Sequence, residues 1–208
     1  MTPTREDVLI VVDLQHDFLP GGALAVPRGD EVIAPINALA QRFRHVVLTQ
    51  DWHPPGHVSF ASSHRGKQPF DTVELSYGTQ VLWPDHCVQG SHGARITEAF
   101  DATRADLIIR KGSFEHTDSY SGFVEADRRT RTGLAGYLKE RGHARVFCAG
   151  LALDFCVSWT ALDAREAGFE TFVIEDACRA IDTGGSLAAA IAAWERAGVR
   201  RITTADIG

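Results

Sequence analysis

A cysteine, a lysine and an aspartate each follow a short, mostly apolar segment of the chain. Asp13 comes after DVLIVV, Lys111 after DLIIR, and Cys156 after AGLALDF. Each has an ordinary structural explanation on its own, because Asp13 can cap a turn, Lys111 can lie at the surface and Cys156 can be a small buried side chain. Together they supply the proton acceptor, the cation and the nucleophile that a covalent acyl-transfer reaction requires.

The environment predicted for Cys156 suits a nucleophile. The residue follows the turn A-G-L-A-L-D and opens a predicted helix, where backbone N–H groups and the helix dipole favour the thiolate. The same N–H groups can hold an oxyanion, with the backbone of Ala152 as the second donor. The ammonium of Lys111 would lower the pKa of the thiol further, and Asp13 would take up its proton and pass it to the leaving group.

A second group of residues has the types and spacing of metal ligands. Asp51 and His53 lie two residues apart in QDWHPPGH, so an extended backbone would point both side chains to the same side. His86, in WPDHC, would complete a site of two histidines and one carboxylate for one divalent transition metal, with zinc, iron and manganese all suitable. The chain has nine histidines, which makes chance pairs common, so spacing alone leaves metal binding open.

Apolar runs alternate with helical patterns along the chain, which predicts a doubly wound α/β fold. The six predicted strands are Asp7 to Asp13, His45 to Thr49, Ala105 to Arg110, Arg145 to Ala149, Glu170 to Glu175 and Arg200 to Thr204. The predicted helices are Glu31 to Arg42, Gly133 to Arg141, Cys156 to Ala167 and Leu187 to Ala197. We expect a mainly parallel six-stranded sheet with helices on both faces.

This topology accounts for the position of the reactive residues after strands. Ligands of parallel α/β sheets bind beyond the carboxyl ends of the strands, so these side chains would gather at one edge. The stretch from Gln50 to about Gly93 is rich in His, Pro, Gly and Ser and shows little periodicity. A loop of this length inside a compact domain is uncommon unless it is functional, which again indicates a site around the metal motif.

Composition limits the classes of protein that the chain can represent. Its 208 residues are 44% hydrophobic and 23% charged, which is typical of a globular protein and predicts one domain over residues 1–208. A formal net charge of -6 disfavours a nucleic-acid partner, and the short basic run at 128–131 is expected to be a solvated turn. No apolar stretch approaches the ~20 residues that span a bilayer, so no membrane partner is expected.

The cysteines and the N-terminal residues indicate a compartment. The four cysteines are scattered and form no C-x-x-C pair, so neither a zinc ribbon nor a disulfide framework is suggested. The N-terminal segment MTPTRED lacks a hydrophobic signal core. Reduced thiols and a cytoplasmic location are expected, while the oligomeric state is left open, a homo-oligomer included.

Six segments, in order, resemble one family. They are VDLQHDF at 12–18, QDWHPPGH at 50–57, WPDHCVQG at 83–90, RKG at 110–112, DSYSGF at 118–123 and GLALDFCV at 150–157. The chain is similar to the nicotinamidase branch of the isochorismatase-like cysteine hydrolases through almost its whole length. The resemblance implies the isochorismatase-like hydrolase fold and hydrolysis of the carboxamide of nicotinamide to nicotinate and ammonia.

The resemblance also assigns roles to individual residues. It implies a catalytic triad of Asp13, Lys111 and Cys156, a metal site of Asp51, His53 and His86, and an oxyanion hole formed by Ala152 and Cys156. The bond between Leu151 and Ala152 matches the position of a cis peptide. Residues implied to bind the substrate are Phe18, Trp83, Tyr120 and Leu151.

One position bears on the metal site and two bear on substrate preference. His57 is expected near the metal, with its coordination left open, and Leu153 and Phe155 replace residues that the family more often has as Thr and as Tyr or His. Three alternatives therefore stay open beside nicotinamide hydrolysis. One is hydrolysis of another aromatic carboxamide such as pyrazinamide, one is cleavage of an N-carbamoyl compound or ureidoacrylate, and one is a binding protein that keeps the pocket without catalysis.

Overall fold

A computed structural model describes all residues, 1–208, and contains one six-stranded parallel sheet. Its strands, in chain order, are β1 Asp7–Val12, β2 His45–Asp51, β5 Leu107–Lys111, β6 Arg145–Leu151, β7 Glu170–Arg179 and β8 Arg200–Ile202, and a separate hairpin contains β3 Thr72–Leu75 and β4 Gly78–Val81. All six residues of β1 are buried, as its continuous apolar run predicts for a strand covered on both faces. The predicted α/β fold is confirmed.

The strand order is β5-β2-β1-β6-β7-β8, so the chain moves away from the sheet centre in two directions. From β1 it proceeds through β2 to the β5 edge, and from β6 it proceeds through β7 to the β8 edge. Because parallel crossovers are right-handed, helices that connect strands in opposite directions cover opposite faces of the sheet. The change of direction falls between β1 and β6, where the loops leave a crevice at the carboxyl ends of the strands.

Four α-helices connect or flank the strands. They are α1 Ile33–Arg42, α2 Leu134–Glu140, α3 Ser158–Glu166 and α4 Ser186–Ala197. Helix α1 buries Ile36, Leu39 and Ala40, and α4 ends at Gly198, whose positive φ of 74° suits a helix C-cap. No helix in the chain combines the length and the apolar character that crossing a membrane requires.

The structure differs from the sequence predictions in two local features. The long aperiodic stretch contains the β3–β4 hairpin, whose four-residue strands are largely exposed or half-buried and therefore show no apolar run. Cys156 does not open an α-helix, because residues Leu153–Val157 form a π-helical turn before α3 begins at Ser158. The thiol therefore lies inside this wider turn.

A buried ion pair joins the first residues of β1 and β6. Asp7 is fully buried and accepts hydrogen bonds from Arg145 Nε and Nη2, both at 2.6 Å, and from the Thr4 N–H at 2.5 Å. Burial by itself raises the pKa of Asp7, but the bonds from Arg145 and Thr4 outweigh it and hold the pKa below its usual 3.8. The carboxylate therefore stabilises the folded state when it is ionised.

We expect Asp7→Asn to lower the free energy of unfolding near neutral pH by about 1–3 kcal/mol, because it removes a charged hydrogen-bond acceptor. A lowered folded-state pKa contributes stability above the unfolded value, and this contribution is lost as the pH falls through the folded value. The difference between the two proteins should therefore shrink below the ordinary pKa of 3.8. Urea unfolding at several pH values tests this, with the exposed Asp30→Asn as control; equal stability near neutral pH would contradict it.

Candidate active site

Four neighbouring strands bring the predicted reactive residues together. Asp51 and Lys111 are the last residues of β2 and β5, Asp13 directly follows β1, and Cys156 lies five residues beyond the end of β6. These strands are consecutive in the sheet order β5-β2-β1-β6, and their parallel direction places all four carboxyl ends on one edge. All four side chains are buried.

Lys111 is the centre of this group. Its Nζ lies 2.5 Å from Asp51 Oδ1, 2.9 Å from Asp13 Oδ2, 3.1 Å from the Ser119 carbonyl oxygen and 3.4 Å from Cys156 Sγ. The Asp13 oxygen faces the ammonium as an ion pair but receives no hydrogen bond, so it retains an acceptor position. Cys156 has a side-chain hydrogen bond to Asp13, so this carboxylate is placed to accept the thiol proton.

Burial decides where the protons of this group lie. It raises the pKa of Asp13 despite the attraction of Lys111, and Asp51 raises it further. Burial also raises the pKa of the Cys156 thiol, and the two carboxylates add to the effect while Lys111 opposes it. Lys111 thus acts on the thiol pKa in the expected direction, but burial and the two carboxylates outweigh it, so the net shift is upward.

Asp51 also faces two histidines on its other side. Its Oδ2 lies 3.6 Å from His53 Nε2 and 3.7 Å from His86 Nε2, and all three side chains are buried. Burial by itself raises the pKa of Asp51, but the Lys111 charge and His53 outweigh it and hold the pKa well below its usual range. One carboxylate therefore contacts the ammonium with one oxygen and the histidine pair with the other.

The geometry of the two imidazoles fits a metal ion. Each ring has its Nδ1 hydrogen-bonded to a backbone carbonyl, that of His53 to Gly112 at 2.9 Å and that of His86 to Pro84 at 2.8 Å. A carbonyl accepts only, so Nδ1 carries a proton, and Nε2, which faces Asp51, is the nitrogen that can bind a metal ion when the ring is neutral. The ligand atoms of the three residues lie within 4.8 Å of one another, which makes them a candidate metal-binding group.

His57 lies behind this group. Its ring stacks on His53 with centroids 4.1 Å apart, its Nδ1 bonds to the Ser59 hydroxyl at 2.7 Å, and its Nε2 bonds to the Thr117 carbonyl at 3.2 Å. Burial and the neighbouring His53 lower the pKa of His57 to about 4. Both of its nitrogens therefore contact protein groups, and its position supports the orientation of His53.

Cys156, His53 and His86 line one cavity that has aromatic walls. Phe18, Trp83 and Tyr120, the aromatic residues implied by the resemblance, all line it. The Tyr120 hydroxyl accepts a hydrogen bond from Trp83 Nε1 at 2.9 Å, and Phe155 meets the Trp83 ring edge-on at 4.9 Å. These contacts fix the walls of a space that suits one flat ring.

The structure places the other implied residues in different positions. Ala152 lines the cavity, and the Leu151–Ala152 peptide bond is cis. The side chain of Leu151 does not line the cavity, because it is fully buried in the core and points toward Gly29. Leu151 therefore contributes its backbone alone to this region.

Sequence reasoning did not assign four further cavity-lining residues, namely Leu24, Asp118, Ser119 and Ile181. Asp118 and Ser119 belong to the segment DSYSGF, which could have identified them. Ile181 follows β7, so the rule that sites lie beyond strand ends could have found it too. Leu24 lies in a loop and shows no comparable signal.

Comparisons with known proteins agree with this geometry. The model of the isochorismatase domain matches residues 7–206. The chain belongs to the isochorismatase family. A nicotinamidase of Acinetobacter baylyi is 57% identical over 207 residues, covering 100% of this chain and 97% of that protein. A solved Acinetobacter baumanii nicotinamidase/pyrazinamidase superposes with a TM-score of 0.96 at 56% identity, over 98% of each chain.

Two further solved structures of the isochorismatase family contain ligands. PnC1 from L. infantum in complex with nicotinate has a TM-score of 0.88 and 40% identity, covering 100% of this chain and 98% of that chain. A pyrazinamidase of Pyrococcus horikoshii in complex with zinc has a TM-score of 0.75 and 34% identity, covering 95% of this chain and 99% of that chain. Members of the family thus bind a pyridine carboxylate and a transition metal.

We expect Gly112→Ala to weaken metal binding roughly 10-fold or more, by disturbing a residue that orients a ligand. A Cβ at Gly112 would lie 2.4 Å from His53 Cε1, so the imidazole must move. Metal content per chain after dialysis measures the effect. Gly142→Ala is the matched control, since Gly142 also has a positive φ, of 75°, but no atom within 4 Å of a Cβ. Equal metal content in both variants would contradict the prediction.

Proposed function

We propose that this chain is an amidohydrolase that converts nicotinamide and water to nicotinate and ammonia through a thioester on Cys156. The observation that carries the proposal is one cavity with aromatic walls that is lined by the Cys156 thiol and by Asp51, His53 and His86. The Lys111 ammonium lies 3.4 Å from the sulfur and 2.9 Å from the Asp13 carboxylate. A binding protein has no use for a nucleophile placed beside a proton acceptor. The family's nicotinamidases support the choice of substrate.

In the substrate complex, the pyridine ring lies between Phe18 and Trp83, with the carboxamide carbon facing Cys156. Asp51, His53 and His86 would hold a divalent transition metal, which would supply a Lewis acid to the bound pyridine. Zinc suits this donor set, and the zinc-containing pyrazinamidase supports it; iron and manganese are the alternatives. The aromatic walls exclude water around the reacting amide.

Acylation begins when Asp13 accepts the proton of the Cys156 thiol. The sulfur forms a bond to the carboxamide carbon, and the carbonyl electron pair moves onto oxygen, where the backbone N–H groups of Ala152 and Cys156 hold it. Asp13 then passes the proton to the amide nitrogen, the C–N bond breaks and ammonia leaves. Lys111 stays protonated and balances the charge that moves between Asp13 and the sulfur.

Deacylation follows the same order of steps, with water as the nucleophile. Asp13 takes a proton from the attacking water molecule, whose oxygen bonds to the thioester carbon. The tetrahedral centre collapses, the C–S bond breaks, and the proton on Asp13 returns to the sulfur. Nicotinic acid leaves and ionises to nicotinate, its proton passing to ammonia or solvent, and the neutral thiol that burial favours is restored.

Pyrazinamide has the same carboxamide on a similar flat ring, so we propose that the enzyme accepts it too. The chain works as one domain over residues 1–208, in the cytoplasm, and its nicotinate feeds NAD salvage. Four cysteines without a disulfide support this location. N-carbamoyl compounds and ureidoacrylate lack the aromatic ring that Phe18 and Trp83 would contact, which favours nicotinamide over them.

Ammonia release from nicotinamide tests the proposal, and we expect Cys156→Ala to abolish it. The variant loses the nucleophile but keeps the metal ligands and the aromatic walls, so nicotinamide binding should persist in calorimetry. Cys148→Ala, which removes a buried thiol outside the cavity, is the control. Turnover retained by Cys156→Ala would refute the nucleophile, and release from ureidoacrylate but not from nicotinamide would refute the substrate.

Removal of the metal provides a separate test. We expect one bound transition metal per chain, loss of nicotinamide hydrolysis on chelation, and recovery when zinc is restored. The reason is that a histidine pair and a carboxylate with fixed imidazole protons form a site for one ion. Elemental analysis of the purified protein measures the metal content, and a chelation series followed by zinc addition measures the loss and recovery of hydrolysis. A metal-free protein with full activity would contradict the metal assignment.

A further inference from the structure

Glu125 is a buried carboxyl group that the proposed reaction does not use. Glu125 is only 2% exposed although it begins a loop. Backbone bonds from the Glu125 N–H to the Thr130 carbonyl and from the Arg128 N–H to the Glu125 carbonyl close this loop. The side chain points toward the active site, where its Oε2 accepts the Gly112 N–H at 3.3 Å. Burying a carboxyl group costs free energy unless it is hydrogen-bonded.

The second partner of Glu125 is the Ser119 side chain. This hydrogen bond lowers the pKa of Glu125 and so favours its carboxylate, while Ser119 Oγ also donates to the Ser121 carbonyl at 3.0 Å. Burial outweighs the bond and raises the pKa of Glu125 to about 7. The carboxyl group therefore has two partners, the Gly112 N–H and the Ser119 side chain.

Both partners hold active-site groups. Gly112 directly follows Lys111, and its carbonyl fixes the His53 Nδ1 proton at 2.9 Å. The Ser119 carbonyl accepts a hydrogen bond from Lys111 Nζ at 3.1 Å, and the neighbouring Tyr120 lines the cavity. One carboxyl group therefore connects the end of β5 to the loop that completes the coordination of the ammonium.

We propose that Glu125 is a positioning residue that ties Gly112 to Ser119 and thereby fixes the Lys111 ammonium against Cys156. The proposal rests on the proposed amide hydrolysis where it is tested by kcat. Where it is tested by the chemical reactivity of Cys156, it rests on the geometry alone. Without Glu125 the two backbone segments lose their common partner, and Lys111 is free to shift away from the sulfur. A misplacement of this kind far from the reacting atoms reduces the rate without removing any reacting group.

The first test compares Glu125→Ala with Glu125→Gln. A glutamine amide has nearly the same shape and keeps an acceptor oxygen for the Gly112 N–H and a polar group beside Ser119, so it should rescue the function that alanine loses. We expect kcat for nicotinamide to fall roughly 10- to 100-fold in Glu125→Ala, with KM and metal content nearly unchanged, and to stay close to wild type in Glu125→Gln. Glu115→Gln, an exposed glutamate in the loop between Gly112 and Ser119, is the control.

Alkylation of Cys156 by iodoacetamide gives the second readout, which needs no turnover. We expect it to slow roughly 10-fold in Glu125→Ala, because the ammonium that favours the thiolate has moved. If wild type does not hydrolyse nicotinamide but alkylation still slows, the reaction is wrong and the positioning role stands. If wild type is active and neither kcat nor alkylation changes in Glu125→Ala, the positioning role is wrong.

Two further outcomes are decisive. Glu125→Gln as impaired as Glu125→Ala would overturn the proposal, since hydrogen bonds would then not account for the effect. If Glu125→Ala does not fold, Glu125→Asp replaces it, because the shorter side chain keeps the chemistry but cannot reach both partners. Normal kcat and normal alkylation in Glu125→Asp would also overturn the proposal.

The same carboxyl predicts a pH-dependent stability. The charged groups that act on it are Lys111, at the end of β5, and Asp118, in the facing loop. Because its folded-state pKa lies above the ordinary 4.5, its ionisation destabilises the fold as the pH rises from that value through about 7. We expect Glu125→Gln to have a higher Tm than wild type at about pH 9 and a similar one at about pH 5. A difference that does not change with pH would contradict a titrating Glu125.

Discussion

The buried ammonium of Lys111 is the interaction on which the site depends. Taking a charge out of water costs several kcal/mol, and the folded state offsets this only when partners with good geometry surround it. Asp13, Asp51 and the Ser119 carbonyl supply those partners. Because Asp51 also faces the two histidines, the same carboxylate links the nucleophile to the metal group, and neither half of the site can be assembled without the other.

The sheet topology makes this arrangement possible. The strand order β5-β2-β1-β6 places four carboxyl ends side by side, and the register of Asp51 with Lys111 across β2 and β5 sets their separation. The buried apolar residues of β1 hold the centre of the sheet rigid. A charge cluster that tolerates little displacement is thus anchored to the most deeply buried part of the fold.

Much of the fold and of the candidate site could be predicted from the sequence, for reasons that differ between residues. The continuous apolar run of β1 and the two-residue spacing of Asp51 and His53 are local patterns, and both appear in the structure as expected. The β3–β4 hairpin escaped prediction because its short exposed strands have no apolar signature. The direction of the Cys156 pKa and the role of Glu125 depend on burial and on partners distant in the chain, which no local pattern encodes.

The central claim is that Lys111 makes Cys156 competent to form an acyl intermediate. Mass spectrometry of protein quenched with acid during nicotinamide turnover tests it most directly, with Lys111→Met compared to wild type. We expect one nicotinoyl group on the peptide that contains Cys156 in the wild type and none in folded Lys111→Met. An adduct on another residue, or the same adduct in the absence of the ammonium, would contradict it.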